Sequence, residues 1–241
     1  MSNVDIKTLF EAGAHFGHKT SRWHPAMKNY IHSSRSGIHI IDLDKTVKLL
    51  SAAAAFIAKT TSEGKSVMLV GTKRQAQDIV GKTAEATGQP FVNLRWFGGL
   101  LTNHKTMQER VKRLKDLESR MASGELANRY SKLEVQRYQE EIDRLNRDFG
   151  GIKDMSGLPG AVVVFDAVDD NTAVREANKL GIPVVAVVDS NADPRQVDYP
   201  IPANDDAVKT LQLVADQVAE AIKTGAAAVK AKPVAEEGAK S

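Results

Sequence analysis

Five of the six histidines, His15, His18, His24, His32 and His39, fall within the first forty residues. Lys19, Arg22, Trp23, Lys28, Tyr30 and Arg35 share that segment. Rings and cations interleaved in this way suit stacking on bases and contact with phosphates. The competing reading puts Trp23 and Tyr30 in a core and the histidines at caps or on the surface, and the residues alone leave both open. A second cluster is NLRWFGGLLTNHK, residues 93–105, where Gly98 and Gly99 permit a sharp turn or a close backbone approach. A third is Thr72-Lys73-Arg74, at the end of a strand and the start of a helix, where backbone N–H groups favour a phosphate. The expected RNA face is Arg22, Trp23, Lys28, Lys73, Arg74, Arg95, His104, Lys105, Arg110, Lys112, Arg113 and Lys115.

A different chemistry is open to His18, Asp189 and Asp205. Asp189 follows the run 184–188 and Asp205 follows the run 199–201. If these are neighbouring parallel strands, their carboxyl ends converge. Two carboxylates brought together repel unless one is protonated or a cation lies between them. The Gly-bounded loop 13–17 can carry His18 over that edge. One imidazole and two carboxylates suit zinc, with water in the fourth place, or another divalent cation. Capping of turns and helix N-termini by the same aspartates is the competing reading. No cofactor is otherwise called for.

Catalytic patterns are missing. No two glycines stand in the G-x-G-x-x-G spacing of a dinucleotide loop. Gly81-Lys82-Thr83 and Gly64-Lys65-Ser66 resemble the end of a phosphate loop, but Ala76 and Lys59 occupy the position of its first glycine. The sequence has neither H-E-x-x-H nor G-x-S-x-G, and no cysteine. Thiol nucleophiles, disulfides and Cys-ligated metal centres are therefore excluded. The expectation is a non-enzyme without a small-molecule substrate. The alternative is an α/β enzyme or binding protein that holds a phosphorylated ligand at the strand ends through Lys73 and Arg74.

The elements that must position these groups alternate. Short apolar runs at 38–42, 67–70, 91–96, 161–165 and 184–188 are each followed or separated by helical stretches at 45–61, 75–86, 171–180 and 205–223. All-apolar strands alternating with helices predict a parallel sheet covered on both faces, a three-layer α/β/α sandwich. Residues 103–150 break the alternation. Met107, Val111, Leu114, Leu117 and Met121, and then Val135, Tyr138, Ile142, Leu145 and Phe149, step by three and four, the seam of an antiparallel coiled-coil hairpin. Ser131 and Glu134 form a capping box for the second helix, and Gly150-Gly151 ends it. The expected division is a sheet domain from 1–102 and 151–223, a projecting hairpin at 103–150, and a disordered tail at 224–241.

Lys and Arg total 33 against 30 Asp and Glu, a net charge of +3 that conceals a segregation. Residues 59–115 carry eleven basic and four acidic side chains, and residues 151–211 carry five basic and ten acidic. The first balance suits a polyanion; the second suits a basic protein partner or a solvated face. No apolar run reaches bilayer-spanning length, so no membrane role is expected. The first eighteen residues lack the basic-then-apolar order of a secretory leader, so a cytoplasmic location is expected.

Taken in order, several of these stretches resemble a known family. They are LFEAGAHFGH (9–18), RWHP (22–25), IHIIDL (38–43), VGTKR (70–74), RWFGGLLTN (95–103), GGIKDM (150–155), PGAVVVFD (159–166), DSNAD (189–193) and IPANDD (201–206). The chain resembles the bacterial ribosomal protein S-two family, the second protein of the small subunit, over residues 5–223. The resemblance implies a flavodoxin-like sheet with a coiled-coil insertion. It also implies a non-catalytic constituent of the cytoplasmic ribosome that binds small-subunit rRNA. That family sits between head and body on the solvent side, touches other small-subunit proteins and helps hold ribosomal protein S-one.

Overall fold

The computed structural model describes residues 4–231. The chain starts with α1 (Ile6–Glu11), capped by Asp5, whose carboxylate accepts from the Thr8 N–H at 2.8 Å. Three strands follow, β1 (Phe16–Lys19), β2 (Ile31–Arg35) and β3 (Ile38–Ile41). They form an antiparallel sheet of their own, in the order β1-β3-β2. This corrects two expectations: residues 38–42 are not a strand of the parallel sheet, and the loop expected at 13–17 gives way to β1 from Phe16. The reason is local. Ser36 and Gly37 both hold positive φ, 52° and 77°. That is the tight turn that folds β2 directly back on β3.

From here the alternation holds. Asp42 caps α2 (Leu43–Ser62), which leads to β4 (Val67–Val70), α3 (Arg74–Thr87) and β5 (Phe91–Val92). Only two residues of the apolar run 91–96 are strand. After the helical insertion come β6 (Ala161–Val164), α7 (Asn171–Lys179), β7 (Val184–Val188), β8 (Tyr199–Pro202) and α8 (Val208–Ala231). The five strands pair in parallel in the order β5-β4-β6-β7-β8. Counted within this sheet the order is 2-1-3-4-5, that of flavodoxin-like folds.

Successive side chains of a strand face opposite ways, and the core divides accordingly. Val67, Leu69, Val163, Val185 and Val187 meet α2, α3 and α8. Met68, Val70, Val162, Val164, Ala186 and Val188 meet α7 and the base of the insertion. Helices on both faces give the three layers.

The insertion contains α4 (His104–Ala122), a short α5 (Glu125–Arg129) absent from the sequence reading, and α6 (Lys132–Phe149). The capping box forms, with Glu134 accepting from the Ser131 N–H at 3.0 Å. Val111, Leu114, Leu117, Ile142, Leu145 and Phe149 are buried. Arg113 reaches Glu141, while Gln108, nearer the start of α4, reaches the Met155 carbonyl, so the two long helices run in opposite senses. They pack on each other, and their seam continues into the core beneath.

The expected disorder from residue 224 is corrected as far as Ala231, which α8 includes. Ala-rich sequence favours helix. Gly225 also lets α8 cross α2 closely, since a Cβ there would strike Thr61 and the Ala58 carbonyl. Residues 232–241 of that tail lie outside the described residues. Among the described residues no helix is long and apolar enough to cross a membrane.

Candidate functional site

The carboxyl ends of β4, β6, β7 and β8 meet at one edge of the sheet, and the chemistry gathered there is acidic. Asp166 and Asp170 follow β6, Asp189 follows β7, and Asp205 and Asp206 follow β8. Asp166, Asp170, Asp189 and Asp205 are each no more than 2% exposed. Lys73, just after β4, enters this cluster. Its Nζ lies 3.1 Å from Asp166, 2.6 Å from Asp205 and 2.7 Å from Asp206. Burial alone would lower the Lys73 ammonium, but hydrogen bonds to Asp205 and Asp206 and the charges around it hold it well above the ordinary lysine range. Burial and the charges of Asp166 and Asp189 push the Asp205 carboxyl up to about 7 despite Lys73, because one ammonium is shared among three carboxylates. Asp170 rises to about 6, chiefly through burial, although it accepts from the Thr72 N–H at 3.1 Å and hydroxyl at 2.8 Å.

The N-terminal segment closes over this edge as expected. The His18 N–H donates to the Ser190 hydroxyl, and the His24 N–H donates to the Ser190 carbonyl, both at 2.8 Å. Gly17 permits the approach, since a Cβ there would meet Ser190 at 2.8 Å. His18 Nδ1 then lies 3.1 Å from Asp189. A hydrogen bond with Asp189, opposed by burial, raises the imidazole above its ordinary value. The ligand atoms of His18, Asp189 and Asp205 come within 4.8 Å of one another, the trio read from the sequence. What the sequence did not supply is Lys73 as a built-in countercharge.

The basic residues scatter differently. Lys73 leaves the expected RNA face, because three carboxylates occupy its ammonium. Arg22, Lys28, Arg74, Arg95, Lys105, Arg110 and Lys112 are exposed, and none of them forms an ion pair among the described residues. Arg113 pairs with Glu141 and Lys115 with Asp154, each at 3.2 Å. Trp23 is partly exposed and packs on His39, with ring centroids 5.3 Å apart. His104 is half-buried beside Gln108. Arg95 lies over the Phe97 ring at 5.6 Å.

The acidic segment is neither a partner surface nor a solvated face over half its charges. Five of its ten acids, Asp166, Asp170, Glu176, Asp189 and Asp205, are buried. Sequence reasoning missed Asp166, Asp170, Ser190 and Glu176. Only the strand order brings them to their partners, and no local spacing signals it. Exposed apolar side chains in the N-terminal segment were also unforeseen. Phe10 and Phe16 flank the His15 ring at 4.2 and 4.0 Å, and Ile6, Phe10 and Phe16 are exposed.

Comparison with known proteins adds to this geometry. The sequence pattern of the family described as Ribosomal protein S2 matches residues 9–225. The small ribosomal subunit protein uS2 of Chloroflexus aggregans is 51% identical over 222 residues, covering 92% of this chain and 93% of that protein. The uS2 protein of a Dehalococcoides mccartyi strain is 48% identical over 234 residues, 97% of this chain and 95% of its own. That of Syntrophobacter fumaroxidans is 48% identical over 225 residues, 93% and 82%.

Proposed function

The chain belongs to the ribosomal protein S2 family, and on that premise we propose that it holds the small subunit together by binding rRNA through its unpaired cations. As a member of that family it is a structural constituent of the small ribosomal subunit in the cytoplasm and not an enzyme. Seven exposed cations without carboxylate partners among the described residues carry the rRNA reading: Arg22, Lys28, Arg74, Arg95, Lys105, Arg110 and Lys112. Each phosphate they neutralise releases counterions, whereas a cation already held by a carboxylate has less to gain. Trp23 and His104 supply rings beside them. Arg113 and Lys115 belong to the same face with weaker contributions. The α4–α6 pair serves as a coiled-coil arm, residues 103–150, set into the sheet domain of 1–102 and 151–223.

The exposed Ile6, Phe10 and Phe16 supply the docking place for a neighbouring small-subunit protein, ribosomal protein S-one in this reading. Three large exposed apolar side chains, two of them flanking the His15 ring, are costly to leave in water. His18, Asp189 and Asp205 supply a divalent-cation site that steadies the N-terminal segment on the sheet. The donor set suits zinc, and the excess of carboxylates over Lys73 supplies the need for positive charge.

The phosphorylated-ligand alternative loses its support. The strand ends where such a ligand binds are lined by aspartates that repel phosphate, and Lys73 is committed to them. The test is association of the full chain with purified small-subunit rRNA across a salt series. The expected log–log slope is steep and falls as the seven cations are replaced by Ala, and a flat slope overturns the reading. For the cation, metal analysis after dialysis decides: wild type retaining no more zinc than Asp189→Asn disposes of the site.

A further inference from the structure

Glu176 stands on α7, outside every cluster described above, and is 8% exposed. No cation pairs with it among the described residues; five donors from the segment between β5 and α4 do instead. Oε1 accepts from the Trp96 indole N–H at 3.1 Å and the Gly99 N–H at 2.7 Å. Oε2 accepts from the Leu101 N–H, the Thr102 N–H and the Thr102 hydroxyl, each at 3.1 Å. The N–H groups of Gly99, Leu101 and Thr102 have no backbone acceptor among the described residues. The segment has wrapped its dipoles around one carboxylate, as backbone N–H groups converge on a bound anion. Burial alone would raise this carboxyl, but the bonds from Thr102, Gly99, Trp96 and Leu101 hold it below the ordinary glutamate range, so it stays charged.

The wrapped segment carries Arg95 at one end and His104 and Lys105 at the other. Phe97 beneath Arg95 packs on Phe149 of α6 at 5.1 Å. The carboxylate therefore sits at the centre of a turn whose two ends present cations, and Gly99, at φ 90°, gives the turn its reversal. We infer that Glu176 is the positioning residue for Arg95 and Lys105 on the RNA face: an internal anion that sets where two cations meet an external one. The inference rests on the rRNA reading above.

The variant Glu176→Gln keeps the shape and removes the charge. One side of the amide then presents N–H to N–H donors. In the full chain, amide exchange at Gly99, Leu101 and Thr102 should speed at least tenfold. The Trp96 indole signal in a ¹H–¹⁵N spectrum should also move, assigned against Trp96→Phe. Association with small-subunit rRNA should weaken about tenfold, with the salt slope reduced by about two, the loss expected for two phosphate contacts. The decisive readout is a cycle with Arg95→Ala/Lys105→Ala. A residue that acts through those cations adds nothing once they are gone. An unchanged slope for Glu176→Gln, or a loss that adds in full to the double variant, overturns the inference and leaves the RNA face standing. No effect of Arg95→Ala/Lys105→Ala overturns the inference together with this part of the face. Should Glu176→Gln not fold, Thr102→Val, which removes one donor and keeps the carboxylate, goes through the same cycle. A loss of about threefold confined to the parent background supports the inference, and no loss overturns it.

Discussion

The acidic segment, residues 151–211, and the basic segment, residues 59–115, begin from comparable charge imbalances and dispose of them in opposite ways. At the sheet edge the charges turn inward: Lys73 holds three carboxylates, and His18 reaches Asp189. On α4 and the segment before it, Arg95, Lys105, Arg110 and Lys112 face solvent without a carboxylate partner among the described residues. Buried charges are set by the fold and hold a segment in place; exposed ones are left for a partner. A count of charges along the chain cannot separate these fates, because burial depends on which strands become neighbours.

The largest test of this contrast is Lys73→Met. It leaves Asp166, Asp205 and Asp206 without their ammonium, and a buried pair broken from one side costs about 3–5 kcal/mol. Chemical denaturation should show that loss, and a change under about 1 kcal/mol would mean the edge is no more committed than the insertion. Next comes Ile142→Asp, a charge placed in the buried seam of α4 and α6, at about 3 kcal/mol. Hydrogen exchange should quicken across both helices while β4, β6 and β7 keep their protection. Uniform loss everywhere would merge the two regions into one unit.

A pH titration sharpens the contrast with a smaller effect. Asp170 and Asp205 titrate near 6 and 7 in the folded chain, above an unfolded aspartate. A raised pKa means that folding favours the protonated carboxyl. The contribution is complete below the ordinary aspartate value and is lost as pH rises through 6 and 7. Metal-free protein should therefore melt at a higher temperature at pH 5 than at pH 8. Asp170→Asn should flatten its share, about 2–3 kcal/mol at the alkaline end. A profile with the opposite slope would contradict the buried edge. Smallest in energy are Arg110→Ala and Lys112→Ala. Each should leave the melt within about 0.5 kcal/mol and cut the rRNA salt slope by about one. Lys115→Ala, already paired with Asp154, should cut it less.

Much of this was readable from local pattern. Strands β4, β6 and β7 announce themselves as short apolar runs, and the capping box at Ser131 and Glu134 marks the start of α6. The trio His18, Asp189 and Asp205 was legible because convergence at the ends of parallel strands is a rule of topology. Lys73 was misplaced because a Lys-Arg pair at a helix start looks the same whether a phosphate or an aspartate waits opposite. The small antiparallel sheet escaped because its strands β1 and β2 are polar, with exposed His32, Ser33, Ser34 and Arg35. Glu176 gave no signal at all, since its donors stand 74–80 residues away along the chain.

The strand order also has a consequence in time. β4 pairs with β6, and the whole helical insertion lies between them. During synthesis at roughly 5–20 residues per second, β6 emerges about 5–20 s after β4. The two long helices close a mostly local loop and can form within that interval. The apolar flank of β4 cannot be covered until β6 arrives, and an unpaired apolar strand edge recruits other chains. The interval before β6 arrives is therefore when a nascent copy is most exposed to aggregation, and a shorter insertion would narrow it.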